Sequence, residues 1–454
     1  MQRRIEDYVR SLGLDAYLVG GAVRDELLGG EAKDADFVVP GVDTERLRDL
    51  LNPHGAVEDL LVSDRLVGLR FYPRDRDVRA LVPAGIEFAP PRREVSTGPG
   101  RHDFEIVADA SLPVDEDMKR RDFTINAIAR RLATGEYVDP VGGRSDLEQR
   151  VLRTVSPQSF REDPLRIVRG LRFVSQLGLE PDEDTRAQMH DNAASIALVA
   201  PERIGGGLAA DGLGELSKLL LGPEPARALR LARDTGVLTH LLPELAAAVG
   251  YVQASRRQRL TLDEHVLTVV QSTADAGDRL EVRLAALLHD LGKPRADETC
   301  EDHAVVGAAL GARVLERLRY PVRLQRHVTT LVREHAFREL PDPRAVDARR
   351  FLARHGDELA ADLLAHKAAD MAAKERSPAE HAALARFREL VEEERTSAHT
   401  LGALAVDGSD LIAIGFRESP ELGRALALLL AEVVEEPERN TREWLLERSR
   451  TLLA

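Results

Sequence analysis

Two short apolar runs near the N-terminus enclose a glycine turn and two acidic residues, and this arrangement constrains the fold more than any other feature. Tyr17–Val19 and Phe37–Val39 each have the length and composition of a buried strand. The pair Gly20-Gly21 between them indicates a tight turn that leads into a helix. Alternate residues of a strand lie on one face, so Asp34 and Asp36 place two carboxylates side by side. The segment therefore predicts an α/β domain.

The acidic pair has a chemical consequence. Two carboxylates this close are unfavourable unless a cation neutralises them. Oxygen-only ligation suits Mg²⁺, which binds one or two carboxylates together with substrate phosphates. A turn without Cβ atoms that leads into a helix N-terminus suits a triphosphate. An isolated Asp-x-Asp is also common on solvated turns, so the combination, rather than the pair alone, indicates a nucleotide-transfer site.

Three sequence motifs carry a resemblance to a known family. Gly20-Gly-Ala-Val-Arg-Asp25 together with the acidic pair resembles the nucleotidyltransferase superfamily. Met118–Ala127 and Arg161–Phe173 narrow this to the bacterial (class II) tRNA nucleotidyltransferase and poly(A) polymerase family. The similarity runs through roughly residues 15–245 and returns more weakly towards the end of the chain. It implies an α/β nucleotidyltransferase palm, with a mixed sheet and helices, followed by all-α domains.

The resemblance also implies which residues form the site. The catalytic carboxylates are Asp34, Asp36 and Glu87, the last on an adjacent strand. The implied nucleotide-binding residues are Gly20, Gly21, Arg24, Arg121, Asp122, Asn126, Asp163, Arg166, Arg169 and Arg172. Arg121 would contact the nucleotide, while Asp122 and Asn126 would order the sugar and the strand ends. The alternatives are that Glu87 is a solvent-facing strand residue and that Arg121 belongs to a structural ion pair.

Base selection is expected at the start of a long helix. Positions three apart on a helix share a face, so a helix that begins near Asp163 would point Asp163 and Arg166 together. A carboxylate accepts from an exocyclic amine and a guanidinium donates to ring or carbonyl acceptors. This pair could therefore imitate a Watson–Crick edge for cytosine or adenine, as the matching residues do in the family. Asp163 could also serve as an N-cap. Arg169 and Arg172 would add phosphate or structural contacts.

A second set of residues, in the C-terminal half, resembles the HD phosphohydrolase superfamily. Its anchors appear in order along the chain as His265, His289, Asp290, His303, His335 and Asp370. Neutral imidazoles and carboxylates from separate helices can converge on a divalent transition metal such as Ni²⁺, Mn²⁺ or Co²⁺. Such an ion activates water for attack on a phosphate. The alternative is that a helical scaffold keeps these histidines as hydrogen-bonded core groups.

The chain of 454 residues is too long for one hydrophobic core. We expect a nucleotidyltransferase palm at 1–145, a helical neck with the NTP-selecting helix at 146–255, an HD domain at 256–395, and a helical tail at 396–454. Thr97–His102 is the predicted mobile loop of the palm.

Composition limits the cellular setting and the partners. The net charge of −14 argues against nucleic-acid binding by charge alone, but arginines are concentrated between residues 119 and 172. The single cysteine, Cys300, excludes an intramolecular disulfide framework and a multi-cysteine zinc site. No apolar run reaches the length of a membrane span, and no signal peptide is expected. We therefore expect a cytoplasmic protein with no membrane partner.

The sequence favours template-independent addition of CCA to tRNA 3′ ends from CTP and ATP with Mg²⁺. An A-only enzyme, such as a poly(A) polymerase, shares the same motifs. An alternative of a different class is an HD phosphohydrolase whose palm has become an RNA-binding module. The HD substrate, its metal and the oligomeric state are not determined by the sequence.

Overall fold

The computed structural model describes residues 2–30, 36–62, 65–96, 104–206, 212–253, 259–299, 301–338 and 340–453. The chain forms two compact units, Met1–Pro243 (unit 1) and Glu244–Ala454 (unit 2). Asp34, the predicted loop Thr97–His102 and Cys300 lie outside the described residues. Over the described part of the chain, no helix is both long and apolar enough to cross a membrane.

Unit 1 is built on a mixed β-sheet. The strands are β1 Tyr17–Val19, β2 Asp36–Val38, β3 Gly55–Val62, β4 Arg65–Pro73, β5 Ile86–Ala89, β6 Arg92–Ser96, β7 Phe104–Ala108, β8 Ala129–Arg131, β9 Tyr137–Val138, β10 Val151–Leu152 and β11 Glu180–Pro181. Seven of them form one sheet in the order β3-β4-β5-β2-β1-β8-β9. In this sheet β2 and β5 run parallel, and the other neighbouring pairs run antiparallel. The pairs β6–β7 and β10–β11 form two small separate sheets.

Helices flank this sheet, and the chain that follows the sheet is mostly helical. The helices of unit 1 are α1 Gln2–Ser11, α2 Gly21–Leu27, α3 Thr44–Leu51, α4 Arg76–Leu81, α5 Val114–Lys119, α6 Gly143–Glu148, α7 Ser159–Glu162, α8 Leu165–Leu177, α9 Glu183–Asp191, α10 Pro201–Ile204, α11 Glu215–Leu220, α12 Pro225–Asp234 and α13 Val237–Leu241. After β9 the remaining strands are two residues long, so the second part of unit 1 is essentially helical.

Aromatic rings hold the two parts of unit 1 together. Phe37 on β2 stacks on Phe88 of β5 with ring centroids 5.4 Å apart, within the buried face of the sheet. Beyond the sheet, the ring of Phe123 lies edge-on to Phe160 of α7 and to Phe173 of α8, at 6.1 and 5.7 Å. Buried aromatic pairs of this kind add to the stability gained from area burial alone. The segment that carries Phe123 is thereby anchored to α8.

Unit 2 is helical throughout its described residues. Its helices are α14 Leu262–Asp275, α15 Leu280–Leu288, α16 Lys293–Thr299, α17 His303–Arg317, α18 Val322–Glu334, α19 Ala345–Ala372, α20 Pro378–Glu393, α21 Gly408–Ala413, α22 Pro420–Glu435 and α23 Arg442–Leu453. Within α19, Gly356 has φ 71° and ψ 167°, which divides the element into two helical segments. The side chain of Ser419 caps α22 by accepting a hydrogen bond from the Glu421 amide.

The predicted fold class, a mixed α/β part followed by helices, is confirmed. The two strands predicted at Tyr17–Val19 and Phe37–Val39 are present as β1 and β2, with β2 shifted by one residue to Asp36–Val38. The helix expected to begin near Asp163 was misplaced by two residues, since α8 begins at Leu165 and Asp163 has an extended backbone. The four-domain division is finer than the two compact units and stays a prediction.

Candidate active site and candidate metal centre

A cleft of about 1000 Å³ in unit 1 collects the predicted nucleotide-binding residues. All ten of them line it, and so does Asp36. Its walls also carry four basic residues that the sequence analysis did not select: Arg92, Arg120, Arg203 and Lys218. Nine basic side chains therefore face four carboxylates in this cleft. A cleft with this excess can hold a polyanion although the chain as a whole is acidic.

The glycine turn at one end of the cleft makes room for an arginine. Gly20 has φ 68°, in the left-handed region, and precedes α2. A Cβ at this position would lie 2.5 Å from Nη1 of Arg121. That guanidinium lies 3.4 Å from the Asn126 carbonyl oxygen and 3.3 Å from Oδ2 of Asp117. Arg121 thus occupies space that a side chain at position 20 would fill. The structural ion pair considered for Arg121 is present with Asp117, and it is one of the contacts of this guanidinium.

Two of the three predicted carboxylates are described, and they lie on adjacent strands. Asp36 on β2 is the register partner of Glu87 on β5. Glu87 is also paired with Arg70 of β4, whose Nη2 lies 2.7 Å from Oε1. Asp36 lines the cleft, whereas the side chain of Glu87 is not part of its wall. The structure therefore brings Glu87 to the predicted strand position but pairs it with an arginine.

A chain of hydrogen bonds crosses the cleft floor from α2 to α8. Arg24 donates to Oδ1 of Asn126 at 2.7 Å, and Nδ2 of Asn126 donates to Oδ1 of Asp122 at 2.9 Å. Arg169 donates to Oδ2 of Asp122 from both Nε and Nη2, at 2.9 and 2.7 Å. The sequence prediction assigned Asp122 and Asn126 to the sugar and strand ends. Their described contacts join α2 to α8, and the role at the sugar and strand ends stays a prediction.

The buried ion pair at the centre of this chain stays ionised. Burial works to raise the pKa of Asp122, but the charge of Arg169 and hydrogen bonds from Asn126 and Arg169 outweigh it. The pKa of Asp122 is consequently held far below its usual value. The same partnership raises the pKa of Arg169, although its burial acts in the opposite direction.

Arg172 has a structural contact of its own. Its Nε lies 3.1 Å from Oε2 of Glu215, a residue of α11 that is nearly buried. Its guanidinium also lies over the ring of Phe173, 4.5 Å from the centroid. Glu215 also approaches Arg169, at 3.6 Å. Phosphate contacts or structural contacts were predicted for Arg169 and Arg172. The contacts with Glu215 and Phe173 are structural.

Asp163 and Arg166 reach the cleft from different backbone geometries. Oδ1 of Asp163 accepts the Leu165 amide at 3.0 Å, and its Oδ2 is 3.0 Å from Nη2 of Arg203. The N-cap of α8 is Pro164, so Asp163 is not the N-cap considered in the sequence analysis. Arg166 is buried, and its guanidinium donates to the Arg120 carbonyl oxygen at 3.3 Å. Both side chains line the cleft. Because Asp163 precedes α8, the two residues do not come together through the spacing of one helix.

In unit 2, side chains from separate helices converge at a second, buried centre. Two groups have potential ligand atoms within 4.8 Å of one another, and Asp290 belongs to both. The first group contains His265 and His289, whose Nε2 atoms are 3.3 Å apart. The second contains His303 and His335. Every predicted anchor except Asp370 belongs to one of these groups.

Asp370 completes the centre from α19. Its Oδ1 lies 3.2 Å from Nε2 of His265 and 3.7 Å from Nε2 of His289. The imidazole Nδ1 atoms of His289 and His335 lie 2.9 and 2.6 Å from backbone carbonyl oxygens, which orients the Nε2 atoms towards Asp290. The donor set of imidazoles and carboxylates suits a divalent transition metal.

The protonation states also suit a metal ion. Burial and the neighbouring His289 lower the pKa of His335 to about 3, and burial likewise lowers the pKa of His303. These imidazoles are therefore neutral at pH 7, the form that ligates metals. Burial would raise the pKa of Asp290, but the surrounding His289, His265 and Lys293 hold it well below the usual value. The centre thus presents the ionised carboxylates of Asp290 and Asp370 and the neutral imidazoles of His303 and His335.

The sequence analysis missed three residues at this centre. His366 is fully buried, and its ring centroid lies 5.0 Å from that of His289. Nζ of Lys293 lies 2.6 Å from the Asp290 carboxylate, and Nζ of Lys374 lies 2.6 Å from the Asp370 carboxylate. A sequence signal existed for His366, which lies four residues before Asp370 within α19 and so shares a helix face with it. No helical spacing marks the lysines, because Asp290 lies between α15 and α16 and Lys374 lies beyond the end of α19.

Comparisons with known proteins agree with this arrangement. Residues 16–153 match the poly A polymerase head domain, residues 178–249 the probable RNA and SrmB-binding site of polymerase A, and residues 262–368 the HD domain. Fold and site therefore define a nucleotidyltransferase with a poly(A) polymerase head and an appended HD domain.

Full-length relatives make the assignment more specific. The chain is 36% identical over 428 residues to the multifunctional CCA protein of Xanthomonas campestris, covering 90% of this chain and 96% of that one. It is 38% identical over 334 residues to the multifunctional CCA protein of Xylella fastidiosa, covering 71% and 74%. The chain belongs to the multifunctional CCA protein family.

Two solved structures are similar to the chain. The CCA-adding enzyme of Bacillus stearothermophilus in complex with CTP aligns with a TM-score of 0.69 and 27% identity, covering 99% of this chain and 97% of that one. The CCA-adding enzyme of Thermotoga maritima complexed with tRNA aligns with a TM-score of 0.58 and 19% identity, covering 100% and 94%, and shows the fold alone.

Asp122→Asn should reduce the acid sensitivity of unit 1. A carboxyl group with a depressed pKa in the folded state stabilises that state above its unfolded pKa, near 4, and loses the contribution as the pH falls towards the folded value. Removal of the ionisable group should lower the free energy of unfolding at pH 7 by about 3 kcal/mol, with a smaller loss at pH 3. Urea unfolding of unit 1 at both pH values measures this. An equal loss at pH 7 and pH 3 would contradict the assignment.

Proposed function

We propose that this chain adds C, C and A to tRNA 3′ ends from CTP and ATP, without a template. The observation that supports this most directly is the unit 1 cleft, which combines Asp36, an excess of arginines and the pair Asp163 and Arg166. The names of the full-length relatives support the same activity. We assign the palm to residues 1–145, the neck to 146–255, the HD domain to 256–395 and the tail to 396–454.

The chemistry is a transfer at phosphorus. The terminal ribose oxygen of the tRNA bonds to the α-phosphorus of the nucleotide and loses its proton, while the bond to pyrophosphate breaks. Asp34 and Asp36 would hold Mg²⁺, which suits an all-oxygen donor set and would supply charge neutralisation for the attacking and leaving oxygens. Arg121 would stabilise the charge of the triphosphate. Glu87 would join these carboxylates only on release from Arg70, so its role is the least supported of the three.

Base selection would depend on donors and acceptors held by the protein. Cytosine and adenine both present an amino group beside a ring nitrogen, whereas uracil and guanine present a carbonyl oxygen in place of the amino group. The Asp163 carboxylate can accept from the amino group, and Arg166 can donate to the ring nitrogen. Arg203 orients the carboxylate, and the carbonyl oxygen of Arg120 orients the guanidinium. Selection would therefore need no nucleic-acid template.

The decisive experiment uses three tRNA substrates, which end before CCA, after C and after CC. Each is incubated with the purified full chain and one nucleoside triphosphate at a time. A CCA-adding enzyme extends the first two with CTP and the third with ATP. An A-only enzyme or poly(A) polymerase, the alternative with the same palm motifs, would leave the first two unextended by CTP.

Asp36→Asn should lower nucleotide incorporation by about 100-fold or more, because the site loses a charged ligand at the reacting phosphate. Asp34→Asn should have the same effect. Asp59→Asn is the matched control, since Asp59 is a half-exposed residue of β3 outside the cleft wall. The rate of primer extension on the CC-ended tRNA measures each variant. Substantial activity in Asp36→Asn would remove this residue from the catalytic role.

Arg166→Ala should damage the choice of base as well as the rate. A site that hydrogen-bonds its substrate discriminates strongly because the wrong partner leaves buried polar groups unpaired. We expect the preference for CTP and ATP over UTP and GTP to fall by about tenfold or more. Arg144→Ala, an exposed residue outside the cleft wall, serves as the control. A loss of rate with unchanged preference would show that Arg166 does not read the base.

We further propose that unit 2 hydrolyses phosphate esters with a divalent transition metal. The converging set of His265, His289, Asp290 and Asp370, extended by His303 and His335, supports this role. An ion held there would supply Lewis acidity at the phosphate. The fully buried side chains of His265 and His289 would exclude bulk water from the ion. An RNA-binding palm attached to such a hydrolase is the alternative of a different class, and intact Asp36 and Arg166 favour transfer in the palm.

The combined variant His289→Ala with Asp290→Ala should abolish hydrolysis of a 2′,3′-cyclic phosphate in Mn²⁺, Co²⁺ or Ni²⁺ and leave CCA addition intact. The reason is that the two sets of ligands lie in different compact units. His381→Ala removes an exposed histidine of α20 and should change neither activity. A wild-type chain that is inert with all three metals would reduce unit 2 to a scaffold.

A further inference from the structure

Two lysines stand beside the metal-binding carboxylates of unit 2. Nζ of Lys293 is 2.6 Å from Oδ2 of Asp290 and 2.7 Å from Oε1 of Gln253. Nζ of Lys374 is 2.6 Å from both carboxylate oxygens of Asp370. Each of the two aspartates that define the centre is thus paired with one ammonium group.

Electrostatics explains this pairing. Asp290 and Asp370 are almost completely buried, and an unpaired buried carboxylate is costly. Each of these carboxylates therefore needs a positive charge beside it to balance its own. The two ammonium groups supply that balance. They occupy the carboxylate oxygens that a divalent ion would also use.

The lysines also mark the open side of the centre. The side chains of His265 and His289 are completely buried, whereas those of Lys293 and Lys374 retain 21% and 17% of their exposure. His303, at 33%, is exposed to a similar extent. A phosphate that approaches from solvent would therefore meet the lysines before it meets the buried ligands.

We propose that Lys293 and Lys374 are counter-cations of the metal-binding carboxylates and turn to bind the substrate phosphate when a divalent ion occupies the centre. This inference rests on the proposed hydrolase function of unit 2. A lysine on a flexible four-carbon stem can exchange one anionic partner for another that lies close by. The same two side chains would then weaken metal binding in the free protein and strengthen phosphate binding in the loaded protein.

The opposite signs of these effects give a sharp test. The full chain carrying Asp34→Asn and Asp36→Asn, which removes the palm ligands, is titrated with Mn²⁺ by calorimetry. Lys293→Met and Lys374→Met in this background should each bind Mn²⁺ at least about threefold more tightly, because a like charge has been removed from the site. Arg354→Met, which removes an exposed cation of α19 that pairs with Glu334, should leave the affinity unchanged.

Phosphate binding is measured in the same samples with inorganic phosphate. Mn²⁺ broadens the ³¹P resonance only of phosphate that comes close to the ion, so the palm cleft does not contribute. Each Lys→Met variant should need about tenfold more phosphate for the same broadening, since it has lost a charge-assisted hydrogen bond. Lys374→Arg, which retains the charge, should restore most of the binding.

Unchanged or weaker Mn²⁺ binding in both Lys→Met variants would overturn the counter-cation role. Tighter Mn²⁺ binding with unchanged broadening would overturn the phosphate-binding role. Thermal unfolding with and without Mn²⁺ identifies a variant that fails to fold. Lys293→Met, Lys374→Met and Lys374→Arg provide independent tests, so the loss of one variant leaves the others to decide. These measurements need no turnover, so a wild-type chain that hydrolyses nothing would refute the proposed hydrolase function without deciding this inference.

Discussion

The ion pair between Asp122 and Arg169 joins two parts of unit 1 that lie 47 residues apart in the sequence. Further contacts of the cleft extend from each partner. Through Asn126 it reaches Arg24 of α2, and through Arg169 it reaches Glu215 of α11. Removal of Arg169 would leave the buried carboxylate of Asp122 without its cation, which is more costly than the loss of the contact alone. The pair therefore ties α8 to the segment that carries Asp122 and Asn126.

Local patterns predicted the parts of this site, but not the contacts between them. Strand and turn residues around Gly20 and Asp36 follow from composition and periodicity, and the structure has both strands where they were expected. The pairing of β2 with β5, by contrast, joins residues about fifty positions apart, and no local pattern specifies it. For the same reason, the engagement of Glu87 by Arg70 was not predicted. Long-range register depends on how the whole sheet packs.

Local patterns also misplaced one helix boundary and left several residues of the two sites unpredicted. The sequence places Asp163 and Arg166 on one helix face, but Asp163 has an extended backbone and precedes the N-cap of α8, Pro164. A proline at 164 follows Asp163, and a residue before proline is disfavoured in the helical region, so this end was readable. His366 was predictable as well, since it lies four residues before Asp370 within α19. The two lysines were not, because Asp290 and Lys374 lie outside the helices. Arg203 and Glu215 were not, because their partners are distant in sequence.

The two sites differ in the balance of their charges, and this difference allows one chain to hold both. In the cleft of unit 1, arginines outnumber carboxylates, so a polyanionic substrate supplies the missing negative charge. In the centre of unit 2, buried carboxylates are balanced by Lys293 and Lys374, so an arriving cation must compete with groups of the protein. Oxygen donors in the cleft favour Mg²⁺, whereas imidazoles in the second centre favour transition metals. Donor chemistry alone can therefore sort the two kinds of ion between the two units.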